Sequence, residues 1–253
     1  MTGVFNKPNT VLDVNTFNTD QHFSAIGERS VIGTTVQGED IWEGTAVSIP
    51  VPPEAGEQMT IVSSSTADNG ATTTGVLTVR IEYLDGSGLE QTEDITVNGT
   101  TPVNTVATDI AFVNDFYALT VGSNGVAEGT LYIYKLGSAT TIYNLITPGG
   151  NKSLVINRKI PTGKDFYITT WTISESKNKE TSYRLRATCA PHGASLVEGF
   201  LFKRTAKING NTISETMNPP IKICSGAIVK VSAWATGGGG SGSSSYNGYL
   251  QSN

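Results

Sequence analysis

Apolar side chains in this chain recur mostly at every second position, in short runs separated by turn residues. The clearest run is Leu77 to Tyr83. Leu77, Val79, Ile81 and Tyr83 fall on one side, and Thr78, Arg80 and Glu82 on the other. Alternation by twos sets one row against a core and the other toward water, which is the pattern of a half-buried β-strand. Asp85-Gly86-Ser87-Gly88 follows as a turn and Glu93 to Val97 as the return, so residues 76–98 are predicted to form a hairpin. Tyr183-Arg184-Leu185-Arg186-Ala187 alternates in the same way, with both arginines on the wet side. Further strands are predicted at 45–49, 58–64, 106–113, 116–121, 129–135, 152–158, 165–172, 197–203, 219–224 and 227–235, with Asn209-Gly210-Asn211 as a hairpin tip. No segment carries the 3.6-residue period of a helix of about ten residues or more.

This pattern predicts an all-β protein, an antiparallel β-sandwich built either as one large sandwich or as two in tandem. Four stretches are distinguished. Residues 1–37 are polar with scattered apolar positions that keep neither period, and read as an extended N-terminal arm. Residues 38–146 and 147–236 are the first and second β-sandwich regions. Residues 237–253 open with Gly237 to Ser245, nine glycines and serines in a row, and read as a flexible tail. Large apolar residues isolated in an arm or tail are candidate anchors on a partner. They are Phe5, Leu12, Phe17 and Phe23 in the arm, and Tyr246, Tyr249 and Leu250 in the tail.

Composition sharpens this picture. Hydrophobic residues make up 38% of the 253 residues, enough for a sizeable core, while charged residues reach only 15%. Polarity comes instead from Thr, Ser, Asn and Gly, which suit turns and wet strand faces. The net charge of -5 and the lack of a basic cluster argue against nucleic acid as a partner. No apolar stretch approaches the roughly 18 residues of a membrane span, and the start lacks a charged segment followed by an apolar run, so neither membrane nor export is expected. Cys189 and Cys224 are too few for a disulfide framework and are read as buried free thiols, with a bridge between them as the alternative.

Candidate chemistry is sparse. The spacing of His22, Cys189, His192 and Cys224 matches no familiar metal-ligand pattern, and neither metal nor cofactor is expected. Pro148 to Ser153 imitates the end of a phosphate loop, but Asn151 replaces the glycine required before Lys152. Asp40 with Glu43, and Asp109 with Asp115, are the carboxylate pairs that a glycan hydrolase could use. Trp171 and Trp234 sit among apolar neighbours and read as packing residues rather than sugar platforms, and Trp42 as a cover for the sandwich edge.

Several strand-and-turn runs are similar to virion structural proteins of tailed bacteriophages. They are Tyr83 to Gly88, Glu93 to Val103, Thr108 to Ile110, and Ile160 to Thr169 followed by Trp171 and by Tyr183 to Arg186. The resemblance spans roughly residues 38–236 and leaves out the arm and the tail. It implies a jelly-roll-like protein without catalysis that decorates or cements a capsid. Its partners would be the major capsid protein or other virion proteins, and its own copies, as a homo-oligomer with a trimer as the guess. It would be assembled in the host cytoplasm and found in the virion. The alternatives are a tail or head-fibre protein that recognises a host surface glycan and, behind it, a glycan hydrolase.

Overall fold

The computed structural model describes residues 21–71, 74–189 and 199–253. Among them there is no helix. The sixteen strands are β1 (Gln21–Ile32), β2 (Glu39–Asp40), β3 (Met59–Ser63), β4 (Val76–Asp85), β5 (Glu90–Thr96), β6 (Val103–Asn104), β7 (Ile110–Val121), β8 (Leu131–Lys135), β9 (Ser138–Ile146), β10 (Arg158–Lys159), β11 (Lys164–Glu175), β12 (Thr181–Ala187), β13 (Leu201–Ile208), β14 (Thr212–Ile223), β15 (Ile228–Ala235) and β16 (Gly240–Ser252). All pairings are antiparallel. One sheet has the order β1-β16-β11-β14, and a second runs β10-β15-β12-β13 with β2 also paired to β15. Two more, β6-β3-β8-β9 and β5-β4-β7, are built wholly from residues between β2 and β10.

The chain is therefore not divided at 37/38 and 236/237 as its sequence suggests. Its two ends pair with each other, Gln21 opposite Leu250 and Glu28 opposite Ser243. Four nested pairings follow: β1 with β16, β2 with β15, β11 with β14, and β12 with β13. Both sheets of this base contribute to one hydrophobic cluster, including Phe166, Ile168 and Trp171 of β11, Leu185 of β12, Val231 of β15 and Tyr246 of β16. The segment between β2 and β10 is an inserted body with its own cluster, including Met59, Ile61, Ile81, Phe116 and Ile133.

The predicted flexible tail is the strand between β1 and β11. Its small residues exist because the space above them is taken. A Cβ on Gly242 would lie 2.0 Å from the Tyr183 hydroxyl and 2.2 Å from the Ser174 carbonyl, and one on Gly248 would lie 1.9 Å from the Tyr167 carbonyl. Ser244 is buried and accepts a hydrogen bond from Trp171 Nε1 at 3.0 Å while donating to the Thr172 carbonyl. A run that looks like a linker by composition is a strand whose inward side chains are deleted to admit Phe166, Trp171 and Tyr183.

The entrance to the inserted body is clamped by charge. Arg29, buried on β1, pairs with Glu39 at 2.8 Å and donates to the carbonyls of Asp40, Gly44 and Ala46. Asp40 is fully buried, accepts from the Ile49 amide at 3.0 Å and lies 2.9 Å from Lys230 Nζ. Trp42 pairs with Val155 across the two connecting segments and joins Ile49 and Leu145 in a third apolar cluster. The predicted strand at 45–49 is absent. Its backbone runs as a bend over this clamp, and Val47 and Ala46 carbonyls serve Asp40 and Arg29 instead of a ladder.

Candidate binding surfaces

Of the residues predicted to anchor a partner, Phe5, Leu12 and Phe17 lie outside the described residues. Phe23 is not in an arm but on β1, where it meets the Phe166 ring edge-on at 4.9 Å. Tyr246 and Leu250 are buried in the base core, and Tyr246 donates to the Ile156 carbonyl at 2.8 Å. Only Tyr249 turns outward, half-buried and stacked on Tyr167 at 5.3 Å. The docking-peptide reading of the tail is overturned for a simple reason. The alternation of β16 sends even-numbered residues inward, and both named anchors other than Tyr249 are even.

A polar groove of about 520 Å³ separates the two bodies, lined by Gln21 to Ser24 of β1 on one side and Glu82, Tyr83 and Glu90 to Thr92 on the other, over Asn114, Asp115 and Arg158. Its charges are already matched. Lys152 sits 2.5 Å from Asp115, Arg158 donates to the Val155 and Asn157 carbonyls, Glu82 accepts from the Tyr117 hydroxyl at 3.0 Å, and Glu90 pairs with Lys164. Burial and Glu82 together push the Tyr117 phenol up. Of these contacts Glu90–Lys164 joins the two bodies, as do the reciprocal hydrogen bonds of Asn114 and Lys159 at 2.8 and 2.9 Å.

The two carboxylate pairs are held apart in role. Asp40 belongs to the clamp and Asp115 to the groove. Glu43 accepts from Thr147 Oγ1 at 2.7 Å, and its carboxyl is raised mainly by burial, with Glu28 nearby adding to it. Asp109 is exposed. Cys189 and Cys224 are joined as a disulfide with Cα atoms 5.8 Å apart, which replaces the free-thiol reading. The ends of β12 and β14 converge there, a juxtaposition no local pattern announces. Among the described residues no cluster of three or more His, Cys, Asp or Glu side chains is arranged to hold a metal, and His192 lies outside them.

The most distinctive surface is the outer face of the β10-β15-β12-β13 sheet. The alternation of β12 turns Arg184 and Arg186 outward, and that of β15 turns Lys230 and Trp234 outward. The Arg184 guanidinium lies between two rings, 4.1 Å from Trp234 and 4.5 Å from Phe202, and Arg186 is 5.2 Å from Phe202. Lys230 stands 4.3 Å above Phe200. Phe202 remains 55% exposed and neighbouring Val36 59%, an apolar area too large to ignore beside two cations. Trp234 is thus a surface ring rather than a core residue, whereas Trp42 and Trp171 are buried. The outward arginines were visible in the alternation. The rings that flank them were not, because Phe202 comes from a strand placed beside Arg186 only by the sheet register.

No family model matches the chain, and no curated protein matches it. A solved structure, that of infectious bursal disease virus Gt strain, is similar at 10% identity over 92% of this chain and 72% of that chain, with a TM-score of 0.15. A score that low carries no argument about fold or function.

Proposed function

We propose that this chain is a non-enzymatic structural protein of a tailed-bacteriophage virion, a homo-oligomer that binds and stabilises the capsid surface. The observation that carries the reading is the nested strand order of the base. First pairs with last, second with second-last, and so inward to β12 with β13. One long hairpin wrapped in this way is a jelly-roll sandwich, an architecture used by viral capsid proteins and also by lectins. The strand-and-turn resemblance to phage virion proteins selects the first of these. Fold alone does not assign function, so the reading stands on both together.

The inserted body is read as a second, smaller sandwich carried between β2 and β10. Residues 1–20 precede β1, an edge strand, and are the segment proposed to lie along a neighbouring capsid subunit through Phe5, Leu12 and Phe17. Each such ring or side chain would contribute about 1.5–3 kcal/mol when buried, less the cost of ordering the segment. Symmetry then repeats the contact over the shell.

The test is sedimentation of the purified chain with capsids that lack it. The full chain is expected to co-sediment and a variant lacking residues 1–20 to stay in solution while remaining folded. Undiminished binding by the truncated chain would exclude the arm as anchor. A fibre protein recognising a glycan is the second reading, favoured by the exposed Phe202 and Trp234 rings around Arg184.

A further inference from the structure

Among the described residues, the outer face of the β10-β15-β12-β13 sheet carries more cations than carboxylates to meet them. Nearby cations are neutralised within the chain: Lys230 by Asp40 at 2.9 Å, Lys207 by Glu180 at 2.7 Å and Arg204 by Glu215 at 3.8 Å. Arg184 and Arg186 form no ion pair among the described residues. Among the described residues their donors reach only the carbonyls of Val36 and Gln37, and Arg186 Nε is buried with no partner there. Burial and the neighbouring Arg184 both weaken the hold of Arg186 on its proton. Two guanidiniums side by side, partly out of water and framed by exposed rings, form a site for carboxylates.

The complement is on the inserted body. A cleft of about 390 Å³ is lined by Tyr83, Asp85, Glu93, Val106 and Asp109, together with Gln91, Thr92 and Ala107, and no basic residue lines it. Glu93 is aimed by the Val106 and Ala107 amides at 2.7 and 3.0 Å, and Asp85 by the Ser87 and Leu89 amides at 2.9 and 3.0 Å. Asp109 is exposed, and Val106 stands at the rim with 87% of its surface free. The field of the three carboxylates is felt by the Tyr83 phenol, which burial raises first and Glu93, Asp109 and Asp85 raise further.

We infer that the chain self-associates head to tail, the Arg184–Arg186 face of one copy seating on the Asp85–Glu93–Asp109 cleft of the next. Val106 then meets the exposed Phe202 and Val36. The proposal rests on the reading of the chain as a self-associating structural protein, and supplies the contact that such a reading lacks. The face belongs to the base and the cleft to the inserted body, so the contact joins different patches on the two copies. It closes into a ring when the rotation permits.

The test is the mass of the full chain in solution by light scattering, at low and high salt. The wild type is expected to be an oligomer that loosens with salt. The double variant R184E/R186E and the single variant D109K are each expected to weaken association by about tenfold or more. Mixing the two variants is expected to give one-to-one pairs and nothing larger, since the intact face of D109K then meets the intact cleft of R184E/R186E and the remaining ends stay unmatched. If R184E/R186E loses its β-sheet spectrum, V106K, at a position almost wholly exposed, takes its place. A monomeric wild type overturns both this contact and the self-associating reading. An oligomer whose mass no variant changes, or variants that do not pair on mixing, overturns the contact alone and returns the Arg–aromatic face to glycan recognition.

Discussion

Arg29 and Glu39 are each only 8% exposed in their side chains and face each other at 2.8 Å. Removing one partner leaves a charge in a site that water does not reach, which generally costs about 3–5 kcal/mol. Glu39→Gln is therefore expected to lower unfolding stability by that order in urea denaturation, and Arg29→Met with Glu39→Leu together to recover much of it. Glu175 shows the same economy at a turn. It is 2% exposed and accepts hydrogen bonds from the amides of Lys177, Lys179 and Gly210 at 2.9–3.0 Å. Burial alone would raise its carboxyl, but these amides more than reverse that and hold it below the ordinary 4.5. A carboxyl depressed in the folded state stabilises above its unfolded pKa and loses that contribution as pH falls through the folded value. The melting-temperature gap between wild type and Glu175→Gln should be widest near neutral pH and narrow as pH drops below 4.5. A gap that stays constant through that range would show the ionised carboxylate contributes nothing.

At the scale of elements, β16 decides whether the base forms. It pairs with β1 on one side and β11 on the other, and Gly242 and Gly248 let it lie against the Tyr183 hydroxyl and the Tyr167 carbonyl. Gly248→Val is expected to destabilise by about 3 kcal/mol or more, since backbone rather than a flexible side-chain tip blocks the new group. Removal of residues 237–253 is expected to abolish the cooperative unfolding of the base and to leave only the melt of the inserted body, as read by circular dichroism. Truncation at residue 20 should be tolerated, whereas truncation at residue 32 removes β1 and exposes an edge of β16. The hairpin at 76–98 was legible because alternation and turn residues sit side by side in the chain, whereas the turn at 209–211 closes no hairpin: it joins β13 of one sheet to β14 of the other, a crossover that turn residues alone do not distinguish. β1 and β16 were not, since they pair with each other across more than two hundred residues. Gln21 opposite Leu250 leaves no local trace. The Gly/Ser run also removes the apolar alternation by which strands are recognised. On the candidate surfaces, the outward arginines could be read from sequence, but the Phe202 and Trp234 rings and the acidic cleft depend on register and on the 105–109 loop folding back onto Glu93.

For the whole molecule, the decisive feature is a base closed by its own two ends with a second body inserted between β2 and β10. The inserted body has a core that shares no residue with that of the base. Residues 44–154 produced alone are accordingly expected to give a folded β-sheet domain with its own cooperative melt. The full chain carries outward-facing surfaces at both bodies, which suits a component repeated over a symmetric shell. The copy number of this chain in purified phage particles, measured by mass spectrometry against the major capsid protein, tests the virion reading. The reading requires about sixty copies or more, in a simple ratio to the capsid subunits. A handful of copies would contradict the shell assignment in favour of a fibre or tail, and absence from the particle would contradict the virion assignment itself.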